Sequence, residues 1–316
     1  CAPLRKGHTV SEFSNLRAAS SPEVLGTVRA SSWKTLFSCP LSWYFANVEK
    51  IRSASSGIAQ IGTAIHAGTA LFDGPRLRGD SISVEEAVEG AIAVLYDDDV
   101  EVNWDSSAQF KAAESIVARS VNRYCHDIAP NVVYTAVEAR CDDLHINTRH
   151  GAIITTGTID RVRERAYVSE DDGTLIEVTH AAADQQNIKP VLYRENVRDI
   201  KTGLQAVGYD DDGGRVATIG AHHLQVGIYT IMTEVELQRP MDAPAEICGI
   251  STGKSGDIAV SDIRDVRTAL LGTEDRPGMI ELAAKMLKDG DFRPAPGTVM
   301  CSPLYCSGWN RCPYHA

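Results

Sequence analysis

Apolar positions along the chain fall into two regimes. Up to about residue 130 they recur at helical spacing, and beyond it they alternate with polar neighbours or gather in β-branched runs. Ser31 or Ser32 offers an N-cap for a helix from Trp33 to Phe45. Ile61, Ile65, Gly68 and Phe72 mark one face of a helix over 58–72. Ser83 and Glu86 have the capping-box spacing that opens a helix running to about Tyr96. Phe110, Ala113, Val117, Val121 and Tyr124 mark another over 107–127. Residues 1–30 are polar and are expected to be a peripheral segment.

After Pro130, strands are predicted over 132–146, 152–163, 175–179 and 197–201. A long helix from about Val216 to Leu237, a strand over 245–251 and a helix over 275–289 closed by Gly290 follow. The order predicts an α/β fold in a single domain over 31–316. Its parts are a helical region (31–130), a mixed sheet with one crossing helix (131–252) and a last helix with a tail (253–316).

Composition agrees with a globular domain: 316 residues, 43 % hydrophobic and 23 % charged. No apolar run approaches the ~18 residues of a membrane span, and the first residues lack a secretory apolar stretch, so a reducing cytoplasm is the expected compartment. The net charge of -11 argues against a broadly basic nucleic-acid surface. Eight of the acids, however, sit in loop-like clusters at 97–99, 171–172 and 210–212. Screening confines exposed charges to about 8 Å, so a local basic groove is compatible with them.

Three of the eight cysteines lie in the last sixteen residues, CSPLYCSGWNRCPYHA. So few aliphatic residues cannot form a core of their own, whereas three thiols in twelve positions suit an ion or a cluster. Cys39, followed by Pro40 and by Trp43 and Tyr44 as shielding aromatics, is the best fourth ligand. Spacing accommodates Zn2+ and an iron–sulfur cluster alike, since both accept four thiolates. Cys125, Cys141 and Cys248 lie in helix- or strand-like runs and read as buried thiols.

In ENVRDIKTG, Asp199 and Lys201 are two apart on a predicted strand, so both side chains leave one face and Ile200 the other. Alone, that pattern also fits a surface ion pair. In TTGTIDRVRE, Asp160 ends another strand. Two carboxylates on adjacent strands can jointly hold Mg2+ or Mn2+, ions that activate water and stabilise the leaving oxygen of a phosphodiester. On the predicted long helix, Leu224, Ile228, Ile231 and Val235 form an apolar stripe, with Gln225 and Tyr229 together on the adjacent one.

The segments SSWKTLFSCPLSWYF, GTAIHAG, GTIDRV, DIKTG, LQVGIY and CSPLYCSGWNRCP occur in that order over 31–313. On them the chain resembles the PD-(D/E)XK nucleases of the RecB/AddB-like iron–sulfur exonuclease branch, which has many phage members. The resemblance implies a restriction-endonuclease-like core and a metal-dependent DNA exonuclease acting on single-stranded or duplex ends. It makes Asp160 and Asp199 metal carboxylates, Lys201 the catalytic lysine and His66 a further metal ligand. Gln225 and Tyr229 match the QxxxY signature that approaches the active site or DNA. Cys39, Cys301, Cys306 and Cys312 match the ligands of a 4Fe-4S cluster.

Glu138 corresponds loosely to a strand acid of the family, with pairing to Arg140 as its alternative. The rival class is a non-catalytic DNA-end-binding or assembly module on the same fold, with the cluster as its brace, and a zinc-stapled interaction protein is a third alternative. Two features depart from the pattern. The interval of 39 positions from Asp160 to Asp199 contains an insertion with an extra strand, expected to cover the site or contact substrate, and the Cys301–Cys306 gap is wide.

Overall fold

The computed structural model describes residues 22–220, 222–298, 301–303 and 305–315. In chain order the first part comprises β1 (Val24–Arg29), α1 (Trp33–Ser38), α2 (Pro40–Asn47), α3 (Gly57–Arg76), α4 (Val84–Leu95) and α5 (Ser107–Arg123). The middle holds β2 (Val133–Thr148), β3 (Gly151–Ser169), β4 (Leu175–Val178), α6 (His180–Gln185), β5 (Leu192–Gly203), β6 (Val207–Tyr209) and β7 (Arg215–Ala217). Then come α7 (His222–Leu237), β8 (Ala245–Ser251), β9 (Ile258–Ile263), α8 (Val266–Leu271) and α9 (Met279–Asp289).

A seven-stranded mixed sheet organises these elements, in the order β1-β3-β5-β8-β9, with β2 and β4 on the other edge of β3. β5 and β8 pair in parallel, and α7 makes the crossover between them. One core cluster joins Val162, Val197 and Ile247 of the sheet to Leu224, Ile228 and Ile231 of α7 and to Ala283 and Ala284 of α9. The other joins Ile200, Cys248 and Ile250 to Ile61 and Ile65 of α3, Ala91 of α4 and Val117 and Val121 of α5. The sheet is therefore covered on both faces, and β5 presents alternate residues to the two layers.

Several elements differ from the sequence expectation for identifiable reasons. The segment expected to be peripheral, 1–30, lies partly outside the described residues. Its described end carries β1, which pairs in parallel with β3 and buries Val28 and Ala30. The helix expected from Trp33 to Phe45 is two, because Pro40 pushes Cys39 into an extended conformation that ends one helix and caps the next. Ser32 precedes the first without a side-chain cap bond. Its hydroxyl instead donates to the Arg29 carbonyl and accepts from the Trp43 indole.

The helix expected from Val216 begins at His222, since 215–217 pair in a hairpin with 207–209. The last helix starts at Met279 rather than near 275. The Ser83–Glu86 capping box forms as expected. The inserted strand β4 pairs with Ala166–Ser169 of β3, six or more residues past Asp160. At 3.3 Å per residue that is about 20 Å along the strand, so β4 extends the sheet away from Asp160 instead of covering it. Among the described residues, no helix is long and apolar enough to cross a membrane.

Candidate active site

The alternation of β5 sends Ile200 into the α3 layer and Asp199 toward α7. Asp199 is 1 % exposed, and Lys201 Nζ lies 2.7 Å from its Oδ2. Its Oδ1 receives a long hydrogen bond from Gln225 Nε2 (3.4 Å), which also lies 3.3 Å from the Tyr229 hydroxyl. Gln225 and Tyr229 are one turn apart, so a single face of α7 carries both, and both are buried. Burial pushes Asp199 up to about 6 and the Asp160 charge adds to that, against the opposing pull of Lys201. Burial, together with the charges of Lys201 and Lys34, takes His222, the first residue of α7, down to about 4.

Asp160 sits at a fork in the sheet. On one edge β3 pairs with β1 up to Thr156 and with β5 from Arg161 onward. Between them the Asp160 carboxylate replaces the ladder by accepting the Ile200 N–H at 2.7 Å. On the other edge, Val137 pairs with Arg161 and Ala139 with Ile159, which places Glu138 opposite Asp160.

Glu138 has a left-handed backbone, φ 47°. For a residue without glycine's freedom this costs of order 1–3 kcal/mol, and such positions gather at functional sites. Burial first, then the Asp160 charge, raises the Glu138 pKa, while Arg161 opposes them. His66 approaches from α3, with Nδ1 3.5 Å from Asp160 Oδ2. One ligand atom each from His66, Glu138 and Asp160 lie within 4.8 Å of one another, a spacing that one cation can bridge. Gly62 allows α3 this approach, since a Cβ there would fall 2.6 Å from Thr202 Oγ1.

The structure thus brings together every residue expected at the acidic centre, but with a different division. Glu138 stands in the ligand group and pairs with Arg161 (3.0 Å), not with Arg140. Asp199 stands beside that group, engaged with Lys201 and Gln225. Period-two arginines beyond Asp160 escaped the sequence reading: Arg161, Arg163 and Arg165 are all buried, together with Arg198 and Glu246. Their charges are paired, Arg161 with Asp73, Arg163 and Arg198 with Glu246, and Arg165 with Glu177 and Asp262. The legible signal was the RVRER alternation itself, on a strand with apolar neighbours.

Cys39, Cys301, Cys306 and Cys312 line a single pocket, although Cys39 lies at the α1–α2 junction and the others in the tail. Its walls include Phe45, Pro294, Pro296 and Trp309. Trp43 and Tyr44, expected to shield the thiols, instead pack on Phe292. Burial and the thiols of Cys312, Cys39 and Cys306 push Cys301 up. All seven described cysteines are free. Four convergent thiols in an apolar-walled pocket fit a tetrathiolate ion or cluster. Cys125, Cys141 and Cys248 are buried as expected, and burial pushes their thiols up to about 12, 12 and 11.

A mixed sheet flanked by helices carries clustered acids, a histidine and an ion-paired lysine at a strand fork, an α/β domain with a candidate cation site. Residues 28–176 match the family model of the PD-(D/E)XK nuclease superfamily. The matched segment holds His66, Glu138 and Asp160, while Asp199 and Lys201 follow it. Among solved structures, a presumed exonuclease from Eubacterium rectale is similar at 14 % identity and a TM-score of 0.46, over 88 % of this chain and 87 % of that one. No curated protein matches the chain in sequence.

Proposed function

We propose that the protein is a metal-dependent DNA exonuclease with a structural 4Fe-4S cluster. The observation that carries the reading is the convergence of His66, Glu138 and Asp160 within 4.8 Å, beside the buried Asp199–Lys201 pair. His66, Glu138, Asp160 and Asp199 would hold Mg2+ or Mn2+, hard ions that favour oxygen ligands. Such an ion supplies Lewis-acid polarisation of a phosphate and lowers the pKa of water.

The protein's own groups do the rest. Asp199 and Asp160 concentrate negative charge at the fork. Lys201, 19 % exposed in its side chain, offers an ammonium to charge developing on the phosphate. Gln225 steadies the Asp199 carboxylate, and with Tyr229 it presents hydrogen-bonding groups toward the strand being cut. His222 is neutral near pH 7, so the positive charge on that side comes from Lys201 and Lys34. Cys39, Cys301, Cys306 and Cys312 would hold the cluster, which joins the two ends of the domain.

The test is incubation of anaerobically purified protein with end-labelled single-stranded and duplex DNA and Mg2+ or Mn2+. Stepwise release of nucleotides from an end, absent in Asp199→Ala, is the expected result. Intact DNA under all conditions would overturn the assignment in favour of a binding or assembly role.

A further inference from the structure

The residue after Asp160 touches all three members of the ligand group or their supports. Arg161 is fully buried, and each guanidinium nitrogen is engaged. Nε donates to Asp73 Oδ2 at 2.8 Å, and Nη2 to Thr69 Oγ1 at 3.1 Å. Nη1 donates both to the Asp160 carbonyl (2.7 Å) and to Glu138 Oε1 (3.0 Å). Thr69 in turn donates to the His66 carbonyl at 2.9 Å. His66, Glu138 and Asp160 come from α3, β2 and β3, and one planar group connects all three.

We infer that Arg161 is a positioning residue for the cation site, its guanidinium holding His66, Glu138 and Asp160 in register so that ion affinity depends on a side chain that touches no ion. The inference rests on the nuclease reading above. The physical ground is the rigid fork of arginine, which fixes several acceptors at once where the point charge of lysine cannot. Glu138 needs such a constraint, because its left-handed backbone aims the carboxylate from a strand position that an unconstrained residue would leave. Asp73 seats the guanidinium from behind, its Oδ2 shared with the Tyr124 hydroxyl at 2.7 Å.

The test is Mn2+ titration of the metal-free protein, followed by the EPR signal of the free ion, with folding checked by circular dichroism and melting. Thr69→Val keeps the side-chain shape and removes the Oγ1 that accepts from Arg161 Nη2 and donates to the His66 carbonyl, leaving the contacts to Glu138, Asp160 and Asp73 in place. Arg161→Lys keeps charge and removes the fork. Tyr124→Phe disturbs the same buried network without touching the fork.

Supporting orientation of a metal's ligands is worth roughly 10–100-fold in affinity. Arg161→Lys is expected to lose that much, Thr69→Val about 10-fold, and Tyr124→Phe less than 2-fold. Thr69→Val decides alone if Arg161→Lys does not fold. Folded Thr69→Val with parental Mn2+ affinity overturns the inference, as does an equal loss in Tyr124→Phe. Asp160→Asn serves as the reference: if the parent binds no Mn2+, or Asp160→Asn binds it as well as the parent does, the cation site itself is refuted and the inference falls with it.

Discussion

Asp199 is placed under two opposing demands: burial keeps its proton on, and the Lys201 ammonium 2.7 Å away takes it off, with burial prevailing in the metal-free protein. Its pKa is raised to about 6 from an ordinary value near 3.8. Between these values the folded protein holds a proton that the unfolded chain has released, so this group's contribution to stability falls as pH rises through the window. In chelator, the melting temperature of the parent is therefore expected to drop relative to Asp199→Asn between pH 4 and pH 6. Mg2+ should narrow that gap above pH 6, since it binds the ionised form. Parallel melting curves for the two proteins across this range would disprove the assignment. In activity, Asp160→Ala should abolish cleavage, and Lys201→Ala should lower turnover by about 10²-fold or more with DNA affinity near the parental value, which single-turnover assays and binding titrations would separate. Asp199 and Lys201 were legible because the strand period alone puts them on one face. Glu138 was legible only through the family resemblance: its place opposite Asp160 depends on the register of β2 against β3 and on one left-handed residue, and neither leaves a signature in composition.

At the scale of elements, α3 links the helical layer to the acids, and small residues set how closely it can lie. A Cβ on Gly68 would come within 2.7 Å of Ala91 Cβ and 2.8 Å of Val121 Cγ2, on α4 and α5. Gly68→Val should thus destabilise the protein by about 1–3 kcal/mol through overpacking, read as a lower denaturant midpoint with unchanged slope. An unchanged midpoint would show that the helices part freely there. Gly62 and Gly68 are the small residues that permit this approach, and the Ser83–Glu86 box located the start of α4 to the residue. Pro40 should have announced the break between α1 and α2, because the residue before a proline avoids helical backbone. The strand at 24–29 was harder to read, since six residues with a central glycine and a terminal arginine are sequence-typical of a loop. Arg161, Arg163 and Arg165 were misleading for a related reason: charge usually marks the solvated face of a strand, and here their carboxylate partners arrive from α3, β4, β8 and β9.

Over the whole molecule, the acidic balance and the nuclease reading coexist because the charge is unevenly placed. The aspartates at 97–99, 171–172 and 210–212 are exposed in loops, whereas the strand charges are buried in pairs. The two ends of the domain meet at the cysteine pocket, where Cys39 and Cys301 are 262 positions apart in the chain. The tail leans on α2 by other contacts too. Phe292 packs on Trp43 and Tyr44, Leu41 donates to the Arg293 carbonyl at 3.3 Å, and a Cβ on Gly308 would enter the Phe45 ring. Trp43 belongs to the core cluster and Phe292 packs against it, and a thiolate-bound cluster would add a second closure beyond these contacts. Under the proposed reading, phosphodiester hydrolysis moves no electrons, so a cluster held there would have a structural task. A clip across so long a loop would restrict the unfolded chain by about 5.6 kcal/mol on the chain-entropy argument, and its binding energy would appear as folding energy. Cys306→Ser is accordingly expected to lose iron and sulfide, to melt well below the parent and to be cut by protease in the tail first. Its residual nuclease activity should follow the folded fraction as temperature rises. Full iron content with parental melting would reject the four-cysteine set. Loss of activity in protein that remains folded would give the cluster a part in the active site itself.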